Sequence, residues 1–332
     1  MMNFCTLFNS CYLQKGLATY LSLEKVAEDF HLYVMAFDRE CYDRLKSYHF
    51  KHLTVELLYD FETPELLAVK PTRNMAEYCW TCSAAITYHF LTKYQLPSIT
   101  YLDADLYFIN SPKVLFDEIG DASVGLSEHW FCYHNDRAGR FCVQFVYFKN
   151  DEDGIKALEY WKNKCIEWCF ARYEDGKYGD QTYIEDIYKK FNRVHVIQHR
   201  GCGLAMWNYK NYSFPNEKVL IFQGKEYPII FFHFHGAKFI NRGQRLIISS
   251  GDNSIPEIVR PLFYNPYAEF MAQVYNRYFG TSFKEVEIKD ISIWKKIFNK
   301  IKHSLHNNAV AKFFYYSVFD IRYNRIENSN FH

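Results

Sequence analysis

Two aspartates one residue apart, Asp103 and Asp105, follow a short run of β-branched, aromatic and aliphatic residues at 99–102. The turn-prone pair Pro97 and Ser98 precedes the run, so we expect a buried strand that ends at Asp103. Two carboxylates at the end of a buried strand are costly unless a cation offsets their desolvation. Mg²⁺ and Mn²⁺ take oxygen ligands of this kind, so the pair indicates a divalent metal site. A strand-end turn with one exposed and one capping aspartate is the alternative.

The chain before these aspartates alternates between two patterns. Strand signals at 4–8, 31–37 and 53–58 alternate with helical signals at 14–28, 38–47 and 74–94, and further strands are predicted at 122–126 and 143–148. This alternation predicts an α/β fold with a doubly wound, mostly parallel central sheet flanked by helices. Ligands bind such sheets at the carboxyl ends of the strands. Asn9 and Asp103 both fall at such ends, so we expect them to share one site.

Length and composition narrow the class of protein. A chain of 332 residues can bury a large core, and a net charge of +1 gives no general attraction to nucleic acid. The start of the chain lacks a basic patch followed by an apolar run and a cleavage site, so we expect no secretory signal. No uncharged apolar stretch reaches about 18 residues, so we expect a cytoplasmic protein without a spanning helix.

Two further helices are predicted at 154–172 and 180–190. The pattern changes after about residue 245, and beyond it helices are predicted at 266–279 and from 291 onward. We therefore divide the chain into a domain over 1–245 and a basic, helical C-terminal extension over 246–332. A helix over 293–302 would place Ile293, Ile297 and Ile301 on one face with lysines around them. Such a helix could lie on an anionic membrane surface, which would make the protein peripheral on the inner face. An ordinary amphipathic helix that covers the core is the alternative.

Several motifs between residues 3 and 240 resemble those of one family. They lie at 8–13, 77–82, 102–108, 143–145, 167–169, 179–181, 205–208 and 233–236. In this order and spacing the chain resembles the GT-A glycosyltransferases that use nucleotide-diphosphate sugars, especially the bacterial nucleotide-diphospho-sugar transferases. The resemblance implies a Rossmann-like GT-A fold and transfer of a sugar from a nucleotide-diphosphate donor, with UDP-sugars favoured, to an acceptor hydroxyl. It also implies a glycan or glycolipid acceptor in lipopolysaccharide, capsule or other surface-glycan synthesis.

The resemblance implies a metal site. Asp103 and Asp105 would bind Mn²⁺ or Mg²⁺ directly or through water, and His233 would complete the site as in the glycogenin-like family. Imidazole suits Mn²⁺ better than Mg²⁺. A satisfied core histidine is the alternative for His233. His235 follows two residues later and would lie on the same face of a regular strand as His233. Only His233 has the family's spacing to the following glycine, Gly236.

The resemblance also implies residues that contact the donor. Thr6, Asn9 and Tyr12 would cradle the base, with Tyr12 as a stacking platform or, alternatively, as packing at a helix entry. Arg73 would contact the diphosphate, or else pair with Glu77 one helical turn on. Ala104 of the aspartate motif would also lie against the donor.

Lys238 would contact the departing phosphate, although it stands two residues after the glycine of its motif where the family's lysine stands three after it. Asp180 and Gln181 resemble the pair that faces the donor sugar in glycogenin-like enzymes. There the acid holds sugar hydroxyls and the amide lies near the anomeric carbon. Asp180 could alternatively cap the helix that follows, and one residue can do both.

Other classes fit the sequence less well. A HAD-type phosphatase requires Thr or Val two residues after the second aspartate, where this chain has Tyr107. A sugar nucleotidyltransferase requires a glycine-rich, arginine-containing loop after the first strand, which residues 9–12 do not supply. A non-catalytic sugar-nucleotide-binding or glycan-binding protein on the same fold stays open.

Overall fold

A computed structural model describes residues 1–133, 135, 138–251 and 254–290. The strands are β1 Met2–Phe8, β2 Phe30–Ala36, β3 Leu53–Leu57, β4 Ser98–Leu102, β5 Leu106–Phe108, β6 Val124–Glu128, β7 Phe141–Lys149, β8 Val194–Val196, β9 Leu204–Ala205, β10 Ser213–Asn216, β11 Val219–Phe222, β12 Lys225–Pro228, β13 Phe231–His233, β14 Lys238–Arg242, β15 Arg245–Ser249 and β16 Glu285–Ile288. The helices are α1 Leu13–Val26, α2 Arg39–Ser47, α3 Leu58–Phe61, α4 Pro64–Val69, α5 Met75–Lys93, α6 Lys113–Ile119, α7 Glu152–Glu167, α8 Thr182–Lys190 and α9 Asn265–Phe279.

The central sheet has seven strands in the order β3-β2-β1-β4-β7-β6-β8. β1 pairs in parallel with β2 and β4, β2 with β3, and β6 with β8. Only β7 runs antiparallel to its neighbours, β4 and β6. The predicted α/β class, with a mostly parallel sheet flanked by helices, is confirmed.

Apolar residues cover both faces of this sheet. Successive side chains of a strand point to opposite faces. Phe4 and Phe8 of β1 accordingly belong to one core cluster that includes residues of α1, whereas Cys5 and Leu7 belong to a second cluster that includes residues of α5 and α7. The sheet is therefore buried on both sides, which leaves the ends of its strands as the place where polar side chains can gather.

The helix starts follow local capping rules. Asn74 accepts a hydrogen bond from the backbone of Glu77, and the Glu77 side chain accepts one from the backbone of Asn74, so the two form a capping box. This confirms the predicted start of the long helix. Asp38 caps α2 in the same way, through the backbone N–H of Cys41.

One predicted helix boundary is wrong. The helix expected over 154–172 ends at Glu167, and Trp168 has an extended backbone. Beyond this point side chains satisfy the backbone in place of a further helical turn. Tyr183 of α8 donates a hydrogen bond to the Trp168 carbonyl (2.7 Å), and Glu77 accepts one from the Ala171 N–H (2.9 Å).

Smaller sheets extend the fold. β13 pairs antiparallel with β5 and parallel with β9, and β14, β15 and β16 form a sheet that joins residues on both sides of position 245. The division of the chain at residue 245 stays a prediction. The predicted helix over 293–302 lies outside the described residues. Of the helices in the described ranges, none combines the length and the apolar character needed to cross a membrane.

Candidate functional site

The two aspartates lie in the turn between β4 and β5, and α1 holds this turn in place. The Thr19 hydroxyl of α1 lies within hydrogen-bond distance of the carbonyl oxygens of Ala104 (2.9 Å) and Leu106 (2.8 Å). Gly16 allows the close approach of the helix, since a Cβ at this position would lie 2.4 Å from the Phe8 ring of β1. The contacts on both sides of Asp105 therefore fix its backbone.

His233 reaches this turn through strand pairing. The register of β13 against β5 places His233 opposite Leu106, next to Asp105. Its Nε2 lies 3.0 Å from Asp105 Oδ1 and 3.6 Å from Asp103 Oδ2. The imidazole and Asp105 are buried, and Asp103 is 23 % exposed. The structure thus brings the three predicted metal ligands together.

Gln144 of β7 orients His233 from the other side of the ring. Its Oε1 lies 2.8 Å from His233 Nδ1, so an Nδ1–H donates to the amide and Nε2 faces the carboxylates. Gly203 makes room for this amide. It has a φ of +85°, and a Cβ there would lie 2.1 Å from Gln144 Nε2. The sequence motif at 143–145 includes Gln144, but this role depends on a contact across 89 residues that no local pattern reveals.

Lys15 of α1 is a member of the site that sequence reasoning missed. Its side chain is 7 % exposed. Lys15 Nζ lies 3.8 Å from Asp105 Oδ2 and 4.0 Å from the centre of the Tyr12 ring. Lys15, Thr19 and Ser22 recur at helical spacing, but the sequence does not reveal that all three are buried. This polar stripe is the face of α1 that contacts the β4–β5 turn.

The charges of the cluster perturb one another. Burial, together with the Asp105 carboxylate, raises the pKa of Asp103 to about 6. Burial acts in the same direction on Asp105, but His233 and then Lys15 outweigh it and hold the pKa of Asp105 well below its usual range. Burial lowers the pKa of His233, yet Asp105 and Asp103 more than offset this effect, so the pKa of His233 is raised.

Asp180 lies near this cluster and lacks full hydrogen bonding. It is buried, and its Oδ2 has no hydrogen-bond partner among the described residues. Burial raises the pKa of Asp180 to about 7, and the negative charge of Asp103 contributes to this shift. The capping position of α8 belongs to Gln181, which is half-buried and makes no side-chain cap, so Asp180 does not cap this helix.

The predicted base-binding residues follow β1. Thr6 is buried within the strand, and its hydroxyl has no hydrogen-bond partner in the described part of the chain. Asn9 Oδ1 accepts a hydrogen bond from the Tyr12 N–H (3.2 Å) and so caps the 3-10 turn Ser10–Tyr12. Tyr12 is 41 % exposed. Burial is the main cause that raises the pKa of Tyr12, and the nearby charges of Asp105 and Asp103 raise it further.

Two predicted phosphate ligands make no direct contact with the aspartates or with His233, although Lys238 lies close enough to Lys15 to help lower the pKa of Lys15, after burial. The Arg73 guanidinium lies 3.8 Å from the centre of the Phe170 ring and donates to the Ile166 carbonyl (3.3 Å). It forms no salt bridge with Glu77, whose carboxylate is occupied by backbone N–H groups. Lys238 begins β14 and is exposed. No hydrogen bond or ion pair between described residues joins Arg73 or Lys238 to the aspartates or to His233.

Trp207 forms a wall of the site. Its ring centre lies 5.1 Å from that of His233 and 5.9 Å from that of His235, and its Nε1 donates to the His129 carbonyl (2.9 Å). β13 ends at His233, and His235 is exposed, with its ring centre 5.6 Å from that of His233. The regular strand that the sequence predicts through His235 is therefore shorter than expected, although the imidazoles of His233 and His235 remain neighbours.

The ligand atoms are of the types that bind a divalent ion. Adjacent ligands of an octahedral ion, each bound at about 2.1 Å, lie roughly 3.0 Å apart, close to the separations from His233 Nε2 to the two carboxylates. Yet no group of three or more His, Cys, Asp or Glu side chains within the described ranges already has the arrangement of a metal site. The hydrogen bond between His233 and Asp105 would therefore have to open before both could bind an ion.

The fold and the cluster define an α/β protein with an acidic, histidine-containing site at the carboxyl ends of its parallel strands. The chain is 34% identical over 241 residues to the uncharacterized protein YfnD of Bacillus subtilis strain 168, which covers 70% of this chain and 77% of YfnD. It is 30% identical over 251 residues to YfnF of the same organism, covering 72% of this chain and 82% of YfnF. The chain belongs to the family of these two proteins. No family model matches it.

Among solved structures the chain is similar to glycosyltransferases. The galactosyltransferase LgtC, solved with donor and acceptor sugar analogues, has a TM-score of 0.48 and 14% identity and covers 71% of this chain and 87% of LgtC. Mouse xyloside xylosyltransferase 1 has a TM-score of 0.43 and 14% identity, and the match covers 62% of this chain and 87% of the xylosyltransferase. The Streptococcus pneumoniae glycosyltransferase GlyE has a TM-score of 0.38 and 15% identity, and the match covers 59% of this chain and 45% of GlyE.

Proposed function

We propose that the protein is a glycosyltransferase that moves a sugar from a nucleotide-diphosphate donor to an acceptor hydroxyl. The observation that carries the proposal is the buried cluster of Asp103, Asp105 and His233 at the carboxyl end of β4, beside the end of β1. Parallel sheets bind nucleotides at this edge. Four of the motifs that resemble GT-A glycosyltransferases, those at 102–108, 143–145, 205–208 and 233–236, contribute residues to this cluster.

Asp103, Asp105 and His233 would hold Mn²⁺ or Mg²⁺. When bound, the ion would neutralise the charge that develops on the diphosphate leaving group. Gln144 holds the Nδ1–H of His233, which would leave Nε2 to bind the ion once its own proton is released, and Thr19 keeps the aspartate turn in place. The imidazole favours Mn²⁺ over Mg²⁺.

The remaining residues of the site would bind the donor. The exposed face of Tyr12 offers a stacking surface for the base. Asp180, with a buried oxygen that has no partner among the described residues, would accept hydrogen bonds from hydroxyls of the donor sugar. Gln181, next in the chain, would lie near the anomeric carbon. A UDP-sugar is the favoured donor.

The acceptor belongs to the same proposal. We assign it as a hydroxyl of a glycan or glycolipid in surface-polysaccharide synthesis, with the reaction in the cytoplasm. Contact of residues 293–302 with the inner face of the membrane would place the enzyme near a lipid-linked acceptor, and that segment lies outside the described residues. Loss of vesicle binding on deletion of 291–332 would test this part.

The first experiment is calorimetric titration of UDP, GDP and CDP with and without Mn²⁺. We compare the wild type with Asp105→Ala and with Asp60→Ala, a control at an exposed aspartate. Manganese-dependent binding of one nucleotide that is lost only in Asp105→Ala is the expected result. Absence of nucleotide binding in the wild type at any metal concentration would contradict the proposal.

A second measurement separates an enzyme from a binding protein on the same fold. Incubation with the corresponding nucleotide sugar and Mn²⁺, without acceptor, should release free sugar slowly, and Asp105→Ala should not. Nucleotide binding without any turnover, with or without candidate acceptors, would favour a sugar-nucleotide-binding protein.

A further inference from the structure

Lys15 is a buried cation in a position that favours anions. It lies in the first turn of α1, where the helix dipole destabilises positive charge. Burial of an ammonium group adds a desolvation cost. The residue is 5 % exposed, whereas Lys25 in the last turn of the same helix is exposed, as the dipole and solvation both favour. Among the described residues, the ion pair with Asp105 at 3.8 Å is the charged contact that offsets these costs.

The contacts of Lys15 leave its hydrogen-bonding capacity unused. An ammonium group has three N–H donors. The distance of 3.8 Å to Asp105 Oδ2 is an ion-pair distance and too long for a hydrogen bond. Among the described residues, no atom accepts a hydrogen bond from Lys15 Nζ. Three donors are therefore available beside the aspartate turn.

The position of Nζ matches that of a diphosphate. It lies 4.0 Å from the centre of the Tyr12 ring, the proposed base platform, and 3.8 Å from Asp105, a proposed metal ligand. In a nucleotide sugar the diphosphate connects the nucleoside to the sugar. With the base on Tyr12 and the metal on Asp105, the diphosphate would pass close to Nζ, because Nζ lies within about 4 Å of both residues.

We propose that Lys15 binds the diphosphate of the donor, and that Asp105 and Tyr12 hold its ammonium group in place until the donor arrives. The inference rests on the proposed function, since it names the residue that contacts the leaving group. It assigns to α1 a role that sequence reasoning gave to Lys238. Lys238 is exposed at the start of β14, and Phe239 stands where the glycogenin-like spacing expects the lysine.

The test compares ligands that do and do not carry a diphosphate. Lys15→Met removes the charge and keeps the length of the side chain, and Lys25→Met makes the same change on the exposed end of α1. Each variant is titrated by calorimetry, in the presence of Mn²⁺, with the nucleoside diphosphate that the wild type prefers, with its nucleoside and with inorganic pyrophosphate. Thermal denaturation checks the fold, and Lys15→Gln replaces Lys15→Met if the latter does not fold.

We expect Lys15→Met to bind the nucleoside diphosphate and pyrophosphate about 10- to 100-fold more weakly, the range for loss of one hydrogen bond to a charged group. Binding of the nucleoside should be unchanged, and Lys25→Met should match the wild type for all three ligands. Unchanged diphosphate affinity in Lys15→Met would overturn the inference and leave the proposed function intact. Equal weakening of nucleoside binding would also overturn it, because Lys15 would then act through Tyr12.

Pyrophosphate separates the inference from the function on which it rests. If the wild type binds pyrophosphate through Lys15 but binds none of UDP, GDP and CDP, the proposed donor is wrong and the anion-binding role of Lys15 stands. If the wild type binds neither pyrophosphate nor a nucleotide, both proposals fail.

Discussion

Carboxylates shielded from solvent occur in two regions of the molecule with opposite surroundings. On β3, both oxygens of Glu56 have partners, namely His89 Nε2 at 2.8 Å, Lys93 Nζ at 2.8 Å and Tyr94 Oη at 2.7 Å. Burial alone would raise the pKa of Glu56, but these hydrogen bonds and the charge of His89 lower it to about 2. The helix α5 and its C-cap residue Tyr94 supply all three partners, so folding itself satisfies this carboxylate.

The acids near the β4–β5 turn are incompletely satisfied. Asp103 has a pKa raised to about 6 and Asp180 one raised to about 7, with burial as the main cause in both. Two carboxylates compete for the Nε2 of His233, and one oxygen of Asp180 has no partner in the described part of the chain. A buried polar group without a partner requires an explanation, and strongly shifted acids gather where a protein binds or reacts.

Folding therefore satisfies the acid on β3 but does not complete the region at the β4–β5 turn. Both regions place acids among aromatic and cationic side chains, yet only Glu56 has a donor for each oxygen. The surplus of carboxylate at the β4–β5 turn, with the free donors of Lys15, is the arrangement expected of a site that a metal ion and an anionic ligand complete. Matched substitutions in the two regions test this reasoning.

Asp105→Asn should have the largest effect. It neutralises a metal ligand while keeping its shape, and we expect transfer or donor hydrolysis to fall by about 10³-fold, the order seen when a preorganised electrostatic contact is lost. The melting temperature should fall, because the lowered pKa of Asp105 means that its charge stabilises the fold, and its loss leaves Lys15 without an anionic partner at this site. Initial rates at saturating Mn²⁺, with thermal melts of the same samples, measure both quantities. Activity within a factor of three of the wild type would remove Asp105 from the mechanism.

Gln144→Leu should have the next largest effect. The substitution removes the acceptor that fixes His233 Nδ1–H, and loss of such a supporting residue typically weakens metal binding by about 10- to 100-fold. Calorimetric titration of Mn²⁺ into the apoprotein measures the change directly. The control Gln144→Glu restores an acceptor and should bind Mn²⁺ more tightly than the leucine variant. Equal Mn²⁺ affinities for the two variants would show that the hydrogen bond to His233 is not the reason for the weakening.

Asp180→Asn should stabilise the apoprotein in a pH-dependent manner. The folded-state pKa of about 7 lies above the ordinary value, so the wild type loses stability as the pH rises from about 4 through 7. The amide variant lacks this loss and should gain about 1–2 kcal/mol over the wild type at pH 8 but little at pH 4.5. Urea denaturation in EDTA at the two pH values measures the gap. A gap that does not widen between them would contradict the raised pKa.

The same contrast shows what the sequence could predict. The parallel strands, the start of α5 at Asn74 and the aspartates at the end of β4 follow from local periodicity and capping, and the structure has them where they were expected. His233 lies 128 residues from Asp105, and only the family resemblance placed it in the site, because the register of β13 on β5 closes that distance.

The contacts that sequence reasoning missed depend on tertiary packing. Lys15 reads as a surface residue of a mostly apolar helix until α1 lies across the aspartate turn. The stacking of Arg73 on Phe170, beyond the unexpected end of α7 at Glu167, is a contact of the same kind, and the contact of Arg73 with the diphosphate stays a prediction. Local patterns contain no information on which helix face meets which loop, so these contacts could not be predicted from the sequence.

Glu56→Gln should have the smallest effect, and only on stability. The folded-state pKa of about 2 lies below the ordinary value, so the stabilising contribution of Glu56 is present above about pH 4.5 and is lost as the pH falls towards 2. We expect a loss of about 1 kcal/mol at pH 7, typical of a partly exposed ion pair, that shrinks by pH 3, with nucleotide binding and activity unchanged. Urea denaturation at pH 7, 5, 4 and 3, with Glu269→Gln as a control at an exposed position of α9, measures the trend. Reduced activity in Glu56→Gln would break the comparison, because an acid that folding already satisfies would then be needed at the site.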